Sequence, residues 1–300
     1  MDRSLGEQVI LTPRNCPLEF RRAGSWYHHY AILGMGVMGN GQPLYYDGVN
    51  ERGLCMAGLN FPGNAVYYPE REDKENVAPF ELIPWVLGKC ASVRQARELL
   101  ERTNVLDLTF HPAIGHSPLH WLISGEDGSL VLETEKDGIH LYENRAEVLT
   151  NNPPFPYQMF NLNNFRHLDV KTPGNTFAPG LELAVYAQGL GGLGLPGDVS
   201  SMSRFVRATF YCQHGDWVEP VGQVFHVLDS VKMLRGACVT GQGGVDETVY
   251  SACMDAAGKY YYTTYGNRRV ACVDMRREDM DGTEAVCFPL RTEQDVWRQN

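Results

Sequence analysis

Apolar positions along this chain come mostly in short runs closed by glycine or proline, and only three or four stretches repeat at helical spacing. Gln8-Val-Ile-Leu-Thr12 is an apolar run stopped by Pro13, and Tyr30–Leu33 and Gly53–Asn60 are further runs bounded by turn residues. These predict strands. Phe80–Leu87 predicts a helix with Pro84 near its start. Ser92-Val-Arg-Gln95 has the form of a capping box, and Val93, Ala96, Leu99 and Leu100 then share one helix face.

Beyond that pair of helices, Leu119–Ser124, Ser129–Glu133, Ile139–Tyr142 and Glu147–Thr150 predict an antiparallel meander. Its hairpin chemistry lies in Gly125–Gly128 and Lys136–Gly138. Residues 153–198 are rich in proline, glycine and asparagine. Helices are expected at Ser200–Cys212 and Pro220–Met233, the second carrying Val224, Val227, Leu228 and Val231 on one face. Strands return at Thr248–Cys253, Lys259–Tyr265, Val270–Asp274 and Ala285–Pro289. Blocks of strands and blocks of helices without βαβ alternation predict an α+β fold with antiparallel sheets. No solenoid-scale repeat or low-complexity linker divides the 300 residues, so a single domain over 1–300 is expected.

Composition narrows the function. The net charge of −10 argues against nucleic acid or an anionic membrane as partner. No apolar run approaches the ~20 residues of a membrane helix. Residues 1–7 do not read as a secretory signal, and the eight scattered cysteines show no Cys-x-x-Cys, which suggests reduced thiols in a cytoplasmic protein.

Two glycine patterns, Gly34-Met-Gly-Val-Met-Gly39 and Gly189-Leu-Gly-Gly-Leu-Gly194, match G-x-G-x-x-G. Neither is followed by the helix that would hold a pyrophosphate, so both are expected to be tight turns and no dinucleotide cofactor is implied. His116 and His120 are four apart with Pro118 between them, and His28-His29 point to opposite faces, so no metal site is expected. More informative are Asn60 and Asn151, each at a predicted strand end, and Arg204 near a predicted helix start. Taken alone, a strand-end asparagine is a turn former and such an arginine a surface ion-pair partner.

Taken together, the segments resemble the choloylglycine hydrolase family, which comprises bile-salt hydrolases and penicillin V acylases. The matching stretches include Thr12-Pro-Arg-Asn15, Asp47-Gly-Val-Asn-Glu-Arg-Gly-Leu54, Ala57-Gly-Leu-Asn-Phe-Pro62, Leu119-His-Trp121, Val148-Leu-Thr-Asn-Asn-Pro153, Leu195-Pro-Gly-Asp198, Ser203-Arg-Phe205 and Tyr260-Tyr-Tyr-Thr-Thr-Tyr265. The resemblance spans essentially the whole chain. It implies a four-layer αββα N-terminal-nucleophile hydrolase sandwich, often a homotetramer, with no cofactor and with conjugated bile salts as the small-molecule substrate.

In that family an N-terminal cysteine is the nucleophile and its own α-amine the general base, an amine titrating near ~7.7–8.0. By resemblance, Asp2 positions that amine, Asn60 and Asn151 supply oxyanion hydrogen bonds, and Arg204 lies beside the thiol, where a cation favours thiolate. Asn60 also faces the leaving amino acid. Met38, Tyr46, Phe61 and Ile114 are candidate lining residues. The sequence opens at Met1-Asp2, and no cysteine precedes Cys16. The expectation is therefore that a strand–turn–strand carrying the nucleophile is missing and that the chain as written is inactive. Two alternatives stand beside bile-salt hydrolysis: a penicillin V acylase-type amidase, and a shortened, non-catalytic binding or assembly subunit.

Overall fold

The computed structural model describes residues 6–111, 115–241 and 243–300, so Asp2 and Ile114 lie outside the described residues. The first strands are β1 (Gln8–Thr12), β2 (Leu18–Phe20), β3 (Gly24–Trp26), β4 (Ile32–Gly39), β5 (Gln42–Tyr45), β6 (Asp47–Asn50) and β7 (Cys55–Asn60). Then come β8 (Glu75–Val77), α1 (Leu82–Lys89), α2 (Val93–Leu100), β9 (Thr103–Val105), and the meander β10 (Leu119–Gly125), β11 (Gly128–Glu135) and β12 (Gly138–Glu143). Helices α3 (Phe155–Asn161), α4 (Ser201–His214) and α5 (Pro220–Ser230) follow. The chain closes with β13 (Cys238–Val239), β14 (Val245–Asp246), β15 (Tyr250–Asp255), β16 (Lys259–Thr264), β17 (Ala271–Asp274) and β18 (Val286–Pro289).

One large antiparallel sheet runs β12-β11-β10-β7-β6-β4-β1-β18, with β5 paired to β4, and a smaller antiparallel sheet runs β15-β16-β17. Period-2 alternation gives the large sheet two buried faces. Ile10, Ile32, Leu54, Met56, Trp121, Ile123, Leu130 and Leu132 face α1 and α2, where Trp85, Leu99 and Leu100 meet them. On the other face, Val9, Leu11, Leu33, Met35 and Val49 pack on Tyr260 and Tyr262 of the small sheet. Toward the β10–β12 end, Val131 and Leu122 pack instead on Phe155, Phe205 and Ala208 of α3 and α4. Helix, sheet, sheet and helix layers give the expected α+β sandwich of antiparallel sheets.

Helix α2 forms as its pattern predicts. Ser92 accepts from Gln95 N at 3.2 Å, and Val93, Ala96, Leu99 and Leu100 are all buried. The box is not reciprocal to the cap, because Gln95 Oε1 takes Ala91 N instead.

Two expectations are corrected. Gly34–Gly39 is strand, not turn: the chain there pairs with both β1 and β5. Glycine is needed because a Cβ on Gly34 would meet Asp47 O at 2.1 Å and one on Gly36 would meet Leu44 O at 2.4 Å. Glu147–Thr150 is not a strand. Asn144 receives the turn, with Glu147 at φ 58, and the chain leaves the sheet edge to run under α4. Helix α3 lies within the stretch 153–198 that is rich in proline, glycine and asparagine; Pro154 at its N-cap and the run Phe155–Asn161 form it.

Candidate active site

Asn60 is the last residue of β7, opposite Leu119 of β10, and its side chain is exposed at the sheet's end. Asn151 follows Thr150 in the segment between β12 and α3. Arg204 lies in the first turn of α4, whose N-cap is Ser200. The three meet directly. Arg204 Nη2 donates to Asn151 Oδ1 at 2.8 Å, and Asn151 Nδ2 donates to the Asn60 carbonyl at 2.8 Å. A primary amide has two N–H donors, so the Asn151 side chain retains one beyond that bond. Its companion Asn152 donates to the Pro62 carbonyl at 2.6 Å, which ties the same turn to the chain just after β7.

The arginine is held from behind. Arg204 Nε donates to Val199 O, and Arg207 donates to Pro196 O, Asp198 O and Ser230 O, which stitches the Leu195–Val199 loop to α4. Asp198 accepts from Ser200 N and from Ser203 Oγ, and these bonds hold its carboxyl well below the usual carboxylate range. Among the described residues Arg204 makes no ion pair. Burial lowers its guanidinium below the ordinary value, with Asp246 opposing from a distance. A half-buried cation without a neutralising carboxylate in contact sets a positive potential at this spot.

Asn151 is fixed on its backbone side as well. Its N–H donates to Ser201 Oγ at 2.8 Å, and Gln158, fully buried on α3, donates to the Asn151 carbonyl at 3.1 Å. Thr150 exchanges hydrogen bonds with Ser201, and its carbonyl faces His120 Nε2 at 2.8 Å.

The lining candidates do not gather. Met38 packs on the helix side of the large sheet, whereas Tyr46 packs on the side of the small sheet, where burial pushes its phenol up to about 12. Phe61 is fully buried with its ring stacked on His120 at 4.3 Å, so it is withdrawn from substrate contact; its role is internal support. Ile114 and the fourth catalytic candidate, Asp2, lie outside the described residues.

Sequence reasoning missed a second polar cluster between the sheets. Asp47 is buried and accepts from Tyr250 and Tyr260 hydroxyls, each at 2.6 Å, and from Met35 N at 3.3 Å. Burial raises its carboxyl above the ordinary aspartate value, against the pull of those bonds. Nearby Cys55 is pushed up to about 12 by burial, which makes it an inert core thiol. All eight cysteines are free thiols. Among the described residues no group of three His, Cys, Asp or Glu side chains could hold a metal ion. His116 pairs with Asp107, and His120 with Glu133.

Arg204, Asn151 and Asn60 thus form one hydrogen-bonded chain at the end of β7 in an α+β sandwich. Comparison with known proteins gives the class: the profile of "linear amide C-N hydrolases, choloylglycine hydrolase family" matches residues 1–288, and the chain belongs to that family. It is 45% identical over 302 residues to a bile salt hydrolase/transferase of Lactiplantibacillus plantarum, covering 99% of this chain and 93% of that protein. Identity to a bile salt hydrolase/transferase of Clostridium perfringens is 35%, over 96% of this chain and 90% of the relative. Among solved structures, a variant of the conjugated bile acid hydrolase from Clostridium perfringens superposes with a TM-score of 0.92 at 33% identity, covering 99% and 93% of the two chains. Penicillin V acylase from Agrobacterium tumefaciens shares the fold, with a TM-score of 0.70 at 21% identity over 94% and 82%.

Proposed function

We propose that this protein is a bile-salt hydrolase that cleaves the amide between a bile acid and glycine or taurine. The carrying observation is the hydrogen-bonded chain Arg204–Asn151–Asn60, assembled from three distant stretches in a member of a linear amide hydrolase family. In this reading a cysteine thiolate attacks the amide carbonyl, its own α-amine takes the thiol proton, and the proton passes to the leaving amine. The second N–H of Asn151 and the side chain of Asn60 stabilise the tetrahedral oxyanion, and Asn60 also faces the leaving amino acid. Arg204 both orients Asn151 and favours thiolate. Asp2 positions the nucleophile's amine.

The relatives' names support bile salts as substrate, while the penicillin V acylase likeness is one of fold. A "hydrolase/transferase" name is also what an acyl-enzyme predicts, since an amine can replace water in the second step. None of the eight cysteines of the sequence is its first residue. The nucleophile in this reading is an N-terminal cysteine, and a polypeptide of these 300 residues alone is expected to release no glycine from glycocholate. The decisive assay compares that polypeptide with one carrying the cysteine-bearing segment, on glycocholate, taurocholate and penicillin V. Hydrolysis of the bile salts only by the extended protein supports the reading. Preference for penicillin V, or no activity in either form, overturns it in favour of the acylase or of a non-catalytic subunit.

Assembly belongs to the same proposal. Phe177 and Tyr186 project from the irregular stretch before α4, each about four-fifths exposed, as an arm for a homotetramer would. Light scattering reads the mass. No helix among the described residues is long and apolar enough to cross a membrane, and eight free thiols support a cytoplasmic location.

A further inference from the structure

His120 is completely buried, and both of its ring nitrogens face acceptors. Nε2 lies 2.8 Å from the Thr150 carbonyl, which only accepts, so Nε2 carries a hydrogen. Nδ1 lies 2.9 Å from Glu133 Oε1, while Phe155 N–H donates to both oxygens of that carboxyl at 3.0 and 3.1 Å. One proton therefore occupies the contact between Nδ1 and Oε1. Whichever atom holds it, the pair is neutral as a unit and both nitrogens are bonded. The pairing follows from register. Trp121 opposes Leu132, so His120 and Glu133 are the next cross-strand neighbours, on the face turned toward α3 and α4.

The imidazole has a third contact. Its ring stacks on Phe61 with 6° between planes. Phe61 follows Asn60, and Thr150 precedes Asn151, two asparagines 91 residues apart in sequence. One buried ring thus touches the neighbour of each by a different interaction. Beside it, Leu122 and Val131 fill the same layer with apolar groups, so the layer does not need polar residues to pack. A buried polar pair is weak evidence for stability and good evidence for fixed geometry when every donor is matched.

We propose that the His120–Glu133 pair is a positioning device. It fixes the turn that bears Asn151 against the end of β7, and with it the direction of the Asn151 side-chain amide. The catalytic consequence of this rests on the reading of Asn151 as an oxyanion donor; the structural consequence does not.

The experiment follows Asn151 itself. In the 300-residue protein labelled with 15N-asparagine, the side-chain signal of Asn151 is assigned by its loss in Asn151→Ala. Glu133→Gln should leave that signal near its original position, because a glutamine can donate to Nδ1 and still accept from Phe155 N–H. His120→Ala and Glu133→Ala should shift it and speed backbone exchange at Asn151 by about tenfold or more. Phe61→Leu, which removes the stack and leaves both hydrogen bonds, should move the Asn60 signal and tests the device even where the alanine variants fail to fold. Folded His120→Ala or Phe61→Leu protein with unchanged asparagine signals overturns the proposal. So does a Glu133→Gln change as large as that of Glu133→Ala, since charge and not geometry would then matter. In the cysteine-bearing enzyme acting on glycocholate, Glu133→Ala should lower kcat by about 10–10², the scale of a misplaced group, at nearly constant KM, with Glu133→Gln restoring it. Shifted asparagine signals with unaltered kcat would support the positioning role and overturn Asn151 as the oxyanion donor.

Discussion

His120 and Trp121 are adjacent in β10, both are fully buried, and they sit in opposite kinds of interior. Trp121 joins Trp85, Ile123, Leu130 and Leu132 in the apolar layer under α1 and α2. His120 joins Glu133, Thr150, Gln158 and Ser201 in a polar layer leading to Asn151 and Arg204. The first layer gains from water exclusion and tolerates apolar exchanges that conserve its volume. The second gains little net free energy, because each of its bonds replaces one made to water, but it has few alternative arrangements. Under α1 and α2 the sheet is packed by apolar side chains, whereas on the face of His120 a polar patch set among apolar neighbours aims side chains.

The largest expected effect should fall on the apolar layer. Trp121→Ala should cost ~3–5 kcal/mol of stability, the usual range for deleting a buried aromatic, and a large part of the 5–15 kcal/mol a domain holds. Denaturant titration measures it. In the cysteine-bearing enzyme, kcat per folded molecule should change little. A folded Trp121→Ala enzyme that has lost kcat as fully as an Asn151 variant would erase the distinction between the faces.

The opposite result is expected from Asn151→Ala. Its kcat should drop by ~10²–10³, the loss typical of one oxyanion donor, while stability moves by ~1 kcal/mol. Steady-state kinetics on glycocholate beside a melting curve checks both halves. Unchanged kcat removes Asn151 from the mechanism.

The two faces also differ in how far the sequence exposes them. The apolar layer was readable from spacing: Val93, Ala96, Leu99 and Leu100 repeat at helical intervals and all four face inward. The asparagines and Arg204 were readable only as a set and through resemblance, since nothing local distinguishes a strand-end asparagine from a turn former. In the sequence His120 stands out only by its four-residue spacing from His116, because its partner, Glu133, is thirteen residues away on the next strand and only register brings them together. Phe61 is a lining candidate only through the resemblance, and nothing in the sequence shows that its ring is fully buried against His120. The strand Gly34–Gly39 was misread because glycine signals a turn locally, whereas here it permits close approach of β6 and β5.

A third test concerns pH and the cluster between the sheets. Asp47 has its carboxyl raised by burial, so the folded state holds its proton to higher pH than the unfolded chain, whose aspartate titrates near ~3.9. Folded protein is then favoured below ~3.9, and that advantage is lost as pH rises through the raised value. Asp47→Asn has no such proton, yet its amide can still meet both Tyr250 and Tyr260 hydroxyls. The stability of the wild type minus that of Asp47→Asn, from urea midpoints between pH 4 and 7, should therefore fall with rising pH. A difference that grows instead would mean that the tyrosine bonds outweigh burial and that Asp47 acts as a stabilised carboxylate.

The smallest expected effect is at the rim of the apolar layer, where it isolates pure helix stability. Ser92 caps α2 through its Oγ, and Asp127 accepts from the N–H groups of Val93 and Arg94 at 2.8 and 3.0 Å. Ser92→Ala removes one of these acceptors and leaves the other, so its cost should sit near the lower part of the ~0.5–2 kcal/mol range for lost caps. For a protein of this size that is a shift in Tm of only about 2–4 °C per kcal/mol. Because α2 touches the large sheet only on its apolar face, the asparagine signals that report on Asn151 should not move. If they do move, the two faces of the sheet are mechanically coupled through β10 and β11, and His120 is set by the packing of its neighbours as much as by Glu133.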